Sequence, residues 1–357
     1  MSASRDRGVL VLDVAADTPR WALPAEGLAR VMAAADGWEV RVAPTVAHSS
    51  GDGNTQVSDA LRAAVADAEV YFGFGVPPGL LAAAPRLRWA QSASAGVRGV
   101  LTPEVRAAVG EGRLVLTNAA GVMAVPIAEY IVGGILYFLR GFDAAVAQQR
   151  ERVWDRAPWA SPGSGGADVM PREVDECRVV IVGVRGIGGA VAERMSALGA
   201  ECVGVRRAAG GAVPPGFARV VGGDEIDAVL PGADAVVLAA PSTPETDGLL
   251  DARRLALLGA GAIVVNVGRG ALVDEPALAA ALAERRLRGA VLDVFAREPL
   301  PADSPLWGLP NVLVTPHVSP TSPGRFWGRM LDLFLDNWGR WRRGEPLRNV
   351  VDAGAGY

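Results

Sequence analysis

"VVIVGVRGIGGAVAERM", residues 179–195, runs an apolar strand through a glycine turn into a helical stretch. That order opens a dinucleotide-binding unit, in which glycines spaced G-x-G-x-x-G bring backbone amides to a pyrophosphate. Gly183 stands at the first position, where the turn is tight, and Gly188 at the third, where helix and strand pack closely. Arg185 takes the second position, where a Cβ crowds the approaching phosphates, and Gly186 follows at once. The pattern reads as a Gly-Arg order swapped to Arg-Gly. A remade turn keeps Gly186 and Ile187 at the helix start for phosphate, with the Arg185 guanidinium adding a charge-assisted contact.

Working outward, the next strand ends in "VGVRRAAG". A unit preferring NAD carries a carboxylate about 20 residues past the glycines to receive the ribose hydroxyl. Arg206 and Arg207 stand there instead, and two arginines suit the additional phosphate of NADP. The sequence therefore predicts NADP(H) as the preferred cofactor, with NAD(H) as the alternative. Three further strand ends carry polar groups: Arg269 in "VVNVGRGALVDEPAL", Asp293 and Glu298 in "AVLDVFAREPLPADSPLW", and His317 in "NVLVTPHVSP". Residues past the carboxyl ends of parallel strands face the crevice where ligands bind in open α/β sheets. An arginine holds a carboxylate and polarises a carbonyl, a histidine donates a proton, and a carboxylate beside that histidine favours its protonated form. Together they fit the reduction of a keto acid.

Short apolar runs alternate with Ala/Leu/Arg-rich helical patterns along the whole chain. The first series holds "GVLVLDV", "WEVRVAP", "EVYFGFG", "LRWAQSAS" and "RLVLTNAA"; the second opens at Arg178. This alternation predicts an α/β protein with parallel sheets covered on both faces. One long helix is expected from about residue 125 to 155, and the Pro/Gly/Ser-dense "RAPWASPGSGGADVMPREV" after it reads as a loop. In "GRFWGRMLDLFLDNWGRWRRGE", Phe326, Met330, Leu333, Phe334 and Trp341 recur at helical spacing, which predicts a core or interface stripe.

Composition narrows the chemistry. The 357 residues suffice for two domains, and a net charge of −4 with dispersed signs gives no basic face for nucleic acid. All 35 basic residues are arginine, so no lysine Schiff base and no Walker lysine is available. Cys177 and Cys202 form neither a disulfide framework nor metal-ligand spacing, and no metal is expected. No apolar run is long enough to span a bilayer, so the expected setting is cytoplasmic, without a membrane partner.

The motifs "VGVRGIGGAVA", "AAPSTPETDGLL", "NVGRGALVDEPAL", "GAVLDVFAREPLPADSPLW" and "NVLVTPH", with "WAQSASAGV" and "TNAAGVMAVPIAEY" before them, resemble the D-isomer-specific 2-hydroxyacid dehydrogenases, of the glyoxylate/hydroxypyruvate reductase kind. The resemblance covers nearly the whole chain. It implies a Rossmann-type doubly wound cofactor domain, residues 123–319, inserted into a discontinuous flavodoxin-like substrate domain, residues 1–122 plus 320–357. It implies Arg269 on the substrate carboxylate, His317 as acid/base, Glu298 as its partner, and the amides of Ala95 and Gly96 on the substrate. Asp293 matches the position that meets the nicotinamide carboxamide, and Pro241, Thr246 and Val267 join the cofactor set; Thr243 and Asn266 lie in the same motifs. The implied partners are a small 2-keto or 2-hydroxy acid and a second copy of the chain as a homodimer, through the helix from about 125. Arg185 and Arg98 depart from the family's pattern, Arg98 because relatives carry Asp or Asn there. A nucleotide-sensing protein like the C-terminal-binding corepressors, on the same fold with little turnover, is the alternative.

Overall fold

The computed structural model describes residues 7–14, 21–43, 57–97, 99–160, 171–322 and 324–356. In chain order the first elements are β1 (Val9–Asp13), α1 (Ala25–Ala34), β2 (Glu39–Val42), α2 (Asp59–Val65), β3 (Val70–Gly73), α3 (Leu80–Ala83), β4 (Trp89–Ser92), α4 (Pro103–Gly110) and β5 (Val115–Thr117). Helices α5 (Ala124–Leu139), α6 (Phe142–Glu151) and α7 (Ala157–Ala160) follow. The second series is β6 (Arg178–Val182), α8 (Ile187–Ala197), β7 (Glu201–Arg206), β8 (Arg219–Gly222), α9 (Ile226–Val229), β9 (Ala235–Leu238), α10 (Ala252–Leu255), β10 (Ile263–Asn266), α11 (Glu275–Ala283), β11 (Gly289–Leu292) and β12 (Val312–Val314). The last helix is α12 (Phe326–Arg343).

These elements gather into two compact units, Met1–Met123 with Ser322–Tyr357, and Ala124–Thr321. In the first unit five parallel strands lie in the order β2-β1-β3-β4-β5, the doubly wound order of flavodoxin-like sheets. Leu10, Leu12, Phe72 and Trp89 on one face of this sheet pack against Phe326, Met330, Phe334, Trp338 and Trp341, so the predicted apolar stripe of α12 is core. Phe334 stacks between Phe72 (4.5 Å) and Trp89 (5.4 Å). A buried polar chain pins the same helix: Asn337 accepts from the Arg348 amide at 2.7 Å and donates to Gln91, which in turn receives the Thr117 hydroxyl. Asn337, Gln91 and Thr117 thereby partner one another, as the low-dielectric interior demands.

In the second unit seven parallel strands lie in the order β12-β11-β10-β9-β6-β7-β8. The order reverses between β6 and β9, which are in register from Val179↔Ala235 to Val182↔Leu238. Strands β9, β10 and β11 are buried along their whole length, as strands covered on both faces must be. Helix α5 lies close against the sheet because Gly134 leaves no room for a Cβ: one would sit 2.8 Å from the Val291 side chain.

The single helix expected from about 125 to 155 is two helices bent by 69°. The break falls at Gly141, whose φ of 70° is left-handed and ends the ladder of α5. Arg288 fixes the corner, donating to both Asp143 oxygens at 2.7 and 2.8 Å and to the Phe138 carbonyl. Among the described residues no single helix is long and apolar enough to cross a membrane. Of the predicted loop after this pair, residues 161–170 lie outside the described residues.

Candidate functional site

The polar residues assigned to the cofactor and the substrate in the second half sit at or past the carboxyl end of a strand of the seven-stranded sheet. After β6 the chain turns at Gly183 (φ 97°) and Gly186 (φ 51°, ψ −108°), then enters α8. A Cβ on Gly188 would lie 1.7 Å from the Gly183 carbonyl oxygen, and one on Gly183 would lie 2.8 Å from that of Ala239, so both glycines are sterically required. A Cβ on Gly186 would meet nothing within 4 Å; its left-handed φ is what calls for glycine there. The backbone freedom lost at position 185 is thus recovered one residue later. Among the described residues the amides of Gly186 and Ile187 make no hydrogen bond, and the exposed Arg185 side chain has no partner.

At the end of β7, Arg206 donates to the Gly211 carbonyl at 3.3 Å, while among the described residues its buried Nε has no partner. Arg207 beside it is exposed; a hydrogen bond from Thr243 holds the Glu245 carboxyl below its ordinary value, and the Arg207 charge adds to that. After β9, Thr246 closes a small loop by donating to the Pro241 carbonyl at 2.7 Å and accepting from the Thr243 amide at 2.8 Å. After β10, Val267 is buried, and Asn266 braces the turn by accepting from the Gly268 amide and donating to the Arg269 carbonyl. That leaves the Arg269 side chain exposed, donating to the Gly268 carbonyl at 2.7 Å.

The turns after β10 and β11 touch without side chains between them. A Cβ on Gly270 would lie 1.9 Å from the Phe295 carbonyl carbon, so only glycine allows the contact. The β11 turn is tied again by Glu275, which accepts from the Ala296 amide, and by Glu298, whose Oε1 accepts from the Phe295 amide at 3.0 Å. The other Glu298 oxygen faces His317 Nδ1 at 2.8 Å. The histidine ring and the carboxylate remain partly open, at 44% and 38% side-chain exposure, so ring and solvent can exchange a proton.

His317 itself has φ 53°, a left-handed backbone that a non-glycine residue adopts only when its surroundings hold it there. Asp293 provides the hold. Its side chain is fully buried, and its carboxylate accepts from the Thr315 hydroxyl (2.5 Å) and the amides of Val318 (2.8 Å) and Ser319 (2.9 Å). Its backbone carbonyl accepts the His317 amide at 3.0 Å. Thr315 is also 2.7 Å from the Tyr130 hydroxyl, on the first turns of α5. Burial, opposed by the Thr315 hydrogen bond and reinforced by the Asp293 charge, pushes the Tyr130 phenol up to about 12.

The sequence reading missed Tyr130, Thr315 and Gly270. Thr315 lies two residues before His317 and Gly270 directly follows Arg269, so closer attention to both neighbours was the available signal. Tyr130 gave none, because its run reads as an ordinary buried helix. In the first unit, the predicted Ala95 and Gly96 are exposed past the end of β4, and among the described residues their amides make no hydrogen bond. Arg98 lies outside the described residues.

The sequence profile of the D-isomer specific 2-hydroxyacid dehydrogenase NAD binding domain matches residues 132–319. The chain belongs to this family. It is 33% identical to glyoxylate/hydroxypyruvate reductase A of Salmonella newport over 290 residues, 79% of this chain and 85% of that protein. It is 38% identical to the D-3-phosphoglycerate dehydrogenase of Mycobacterium tuberculosis H37Rv over 265 residues, 73% of this chain but 47% of that protein. The chain thus spans about half the length of that relative. Among solved structures, a D-isomer specific 2-hydroxyacid dehydrogenase from Xanthobacter autotrophicus Py2 in complex with NADPH and MES is similar at a TM-score of 0.77 and 30% identity, covering 99% of this chain and 100% of that one. The Rossmann-type α/β reading and the family resemblance therefore hold.

Proposed function

We propose that the protein is an NADP(H)-preferring reductase of small 2-keto acids to D-2-hydroxy acids, the reverse reaction running on the same residues. The pairing of His317 Nδ1 with Glu298 at 2.8 Å, in a turn abutting that of Arg269, carries this reading. The cradle after β6 fits a dinucleotide: Gly188 and Gly183 leave space that a Cβ would fill, and the unpartnered amides of Gly186 and Ile187 begin α8. Arg185 adds charge for the pyrophosphate, and Arg206 and Arg207 read the 2′-phosphate; the Xanthobacter relative carrying NADPH supports that choice. Pro241, Thr246 and Val267 form the wall of this cofactor site at the ends of the neighbouring strands.

A bound reduced nicotinamide supplies the hydride. Arg269 holds the substrate carboxylate and draws electron density from the adjoining carbonyl. His317 gives its Nε2 proton to the carbonyl oxygen, while Glu298 fixes the ring through Nδ1 and stabilises the charged imidazolium before transfer. Glu298 is itself oriented by the Phe295 amide, so the acid is held from two sides.

The test is a titration of the purified protein with NADPH and with NADH, followed by tryptophan fluorescence, and then a panel of keto acids including glyoxylate and hydroxypyruvate. Tight NADPH binding, weaker NADH binding and turnover are expected. Nucleotide-dependent assembly without turnover would favour the corepressor-like alternative, and binding of neither nucleotide would sink the dehydrogenase reading. Sedimentation of the same sample checks the proposed homodimer.

A further inference from the structure

We infer that Asp293 is a positioning residue for His317, held in place by a relay from helix α5 through Tyr130 and Thr315. The direction of that relay follows from donor counting. The Asp293 carboxylate has no hydrogen to give, so Thr315 must donate to it across 2.5 Å. The Thr315 hydroxyl has one hydrogen, so across 2.7 Å Tyr130 must donate and Thr315 accept. Tyr130 therefore orients the threonine, and the threonine supports the carboxylate.

What the carboxylate then does is read from the amides. His317, Val318 and Ser319 are consecutive, and all three N–H groups point at Asp293, the first at its carbonyl and the next two at its carboxylate. Successive amides brought together by a left-handed residue form a concave anion receptor, and here the anion is a side chain of the same unit. The arrangement stabilises the positive φ of His317 and sets the ring's approach to Glu298. Asp293 is also fully buried, and three donors of the same unit meet its carboxylate. This assignment rests on His317 being the acid of the proposed reaction, but its structural half can be tested without turnover.

The experiment measures amide hydrogen exchange at Val318 and Ser319 in the full chain, beside kcat, the keto-acid KM and the NADPH Kd. Asp293→Asn places an amide NH2 against one of the two backbone donors. Exchange there should rise about tenfold or more, and kcat should fall about tenfold with KM and NADPH Kd within about twofold. Thr315→Val should give the same pattern at smaller size, Thr315→Ser should restore it, and Tyr130→Phe should fall between wild type and Thr315→Val. A double Tyr130→Phe/Thr315→Val variant should be no worse than Thr315→Val alone, because both act through one carboxylate. The inference is overturned if Asp293→Asn weakens NADPH binding while exchange and kcat hold, since the carboxylate then serves the cofactor. Should Asp293→Asn fail to fold, the Thr315→Val and Thr315→Ser pair decides by the same exchange readout. If the wild-type protein turns over no keto acid, the catalytic reading fails, whereas the exchange data still decide whether Asp293 holds the loop.

Discussion

After β6 the chain passes Gly183 and Gly186 with the helix-opening amides unpartnered among the described residues and Arg185 exposed, whereas after β11 and β12 the Asp293 and Glu298 carboxylates are met by donors from their own unit. Both turns end strands of one sheet, yet they are prepared for opposite tasks. A pocket that receives an anion leaves donors free and removes side chains, and small steric changes are what damage it. A group that must deliver a proton in one direction is held by several bonds, and loss of one bond is what damages it. Substitutions in the two turns should therefore fail differently.

The largest effect expected is in the tied turn. His317→Gln should lower kcat by about 10² to 10⁴ while NADPH Kd stays unchanged, as steady-state kinetics and fluorescence titration would show. Loss of NADPH binding in that variant would mean that the two turns are not separable. Next comes the open turn, where Gly188→Ala drives a methyl to 1.7 Å from the Gly183 carbonyl. It should cost about 3 kcal/mol in thermal or urea unfolding and abolish NADPH binding, while Gly186→Ala, opposed by φ alone, should cost about 1 kcal/mol. Equal costs would show that the swapped turn relaxes more freely than its contacts suggest.

A smaller effect separates the cofactors. Replacing Arg206 and Arg207 together with serine should weaken NADPH about tenfold to a hundredfold and leave NADH nearly unchanged, as parallel titrations would report. The smallest concerns residues outside both turns. Burial pushes the Cys177 and Cys202 thiols up to about 11, so at pH 8 a thiol reagent should label neither until the protein unfolds. Asp227 is held down at about 2 by hydrogen bonds from Arg253 and then Arg254. Its folded value is depressed, so its small contribution is present above the ordinary carboxylate range and fades as acid titration passes about pH 2.

Much of this was legible in the sequence because it depends on short-range chemistry. Strand ends carrying Arg269, Asp293, Glu298 and His317 can be read from apolar runs that stop at a polar residue, and the sheet rule then brings them to one edge. The helix break was not legible, because a lone Gly141 among good helix formers is tolerated as often as it terminates. Its corner is fixed by Arg288, 147 positions away in number and adjacent only in the fold. Asp293 was read from its place in a motif, while its surroundings depend on Tyr130, from an element nothing in its own spacing links to β12. Contacts of that range become visible only when the chain is folded.

The order in which the chain is made gives the discontinuous unit a particular difficulty. Its five strands emerge from the ribosome early, but α12, which covers Phe72 and Trp89, follows almost 200 residues of the other unit. Until then an aromatic sheet face has no cover, so nascent chains stalled before Phe326 should be the ones that engage chaperones and aggregate. Chains stalled after Arg343 should not.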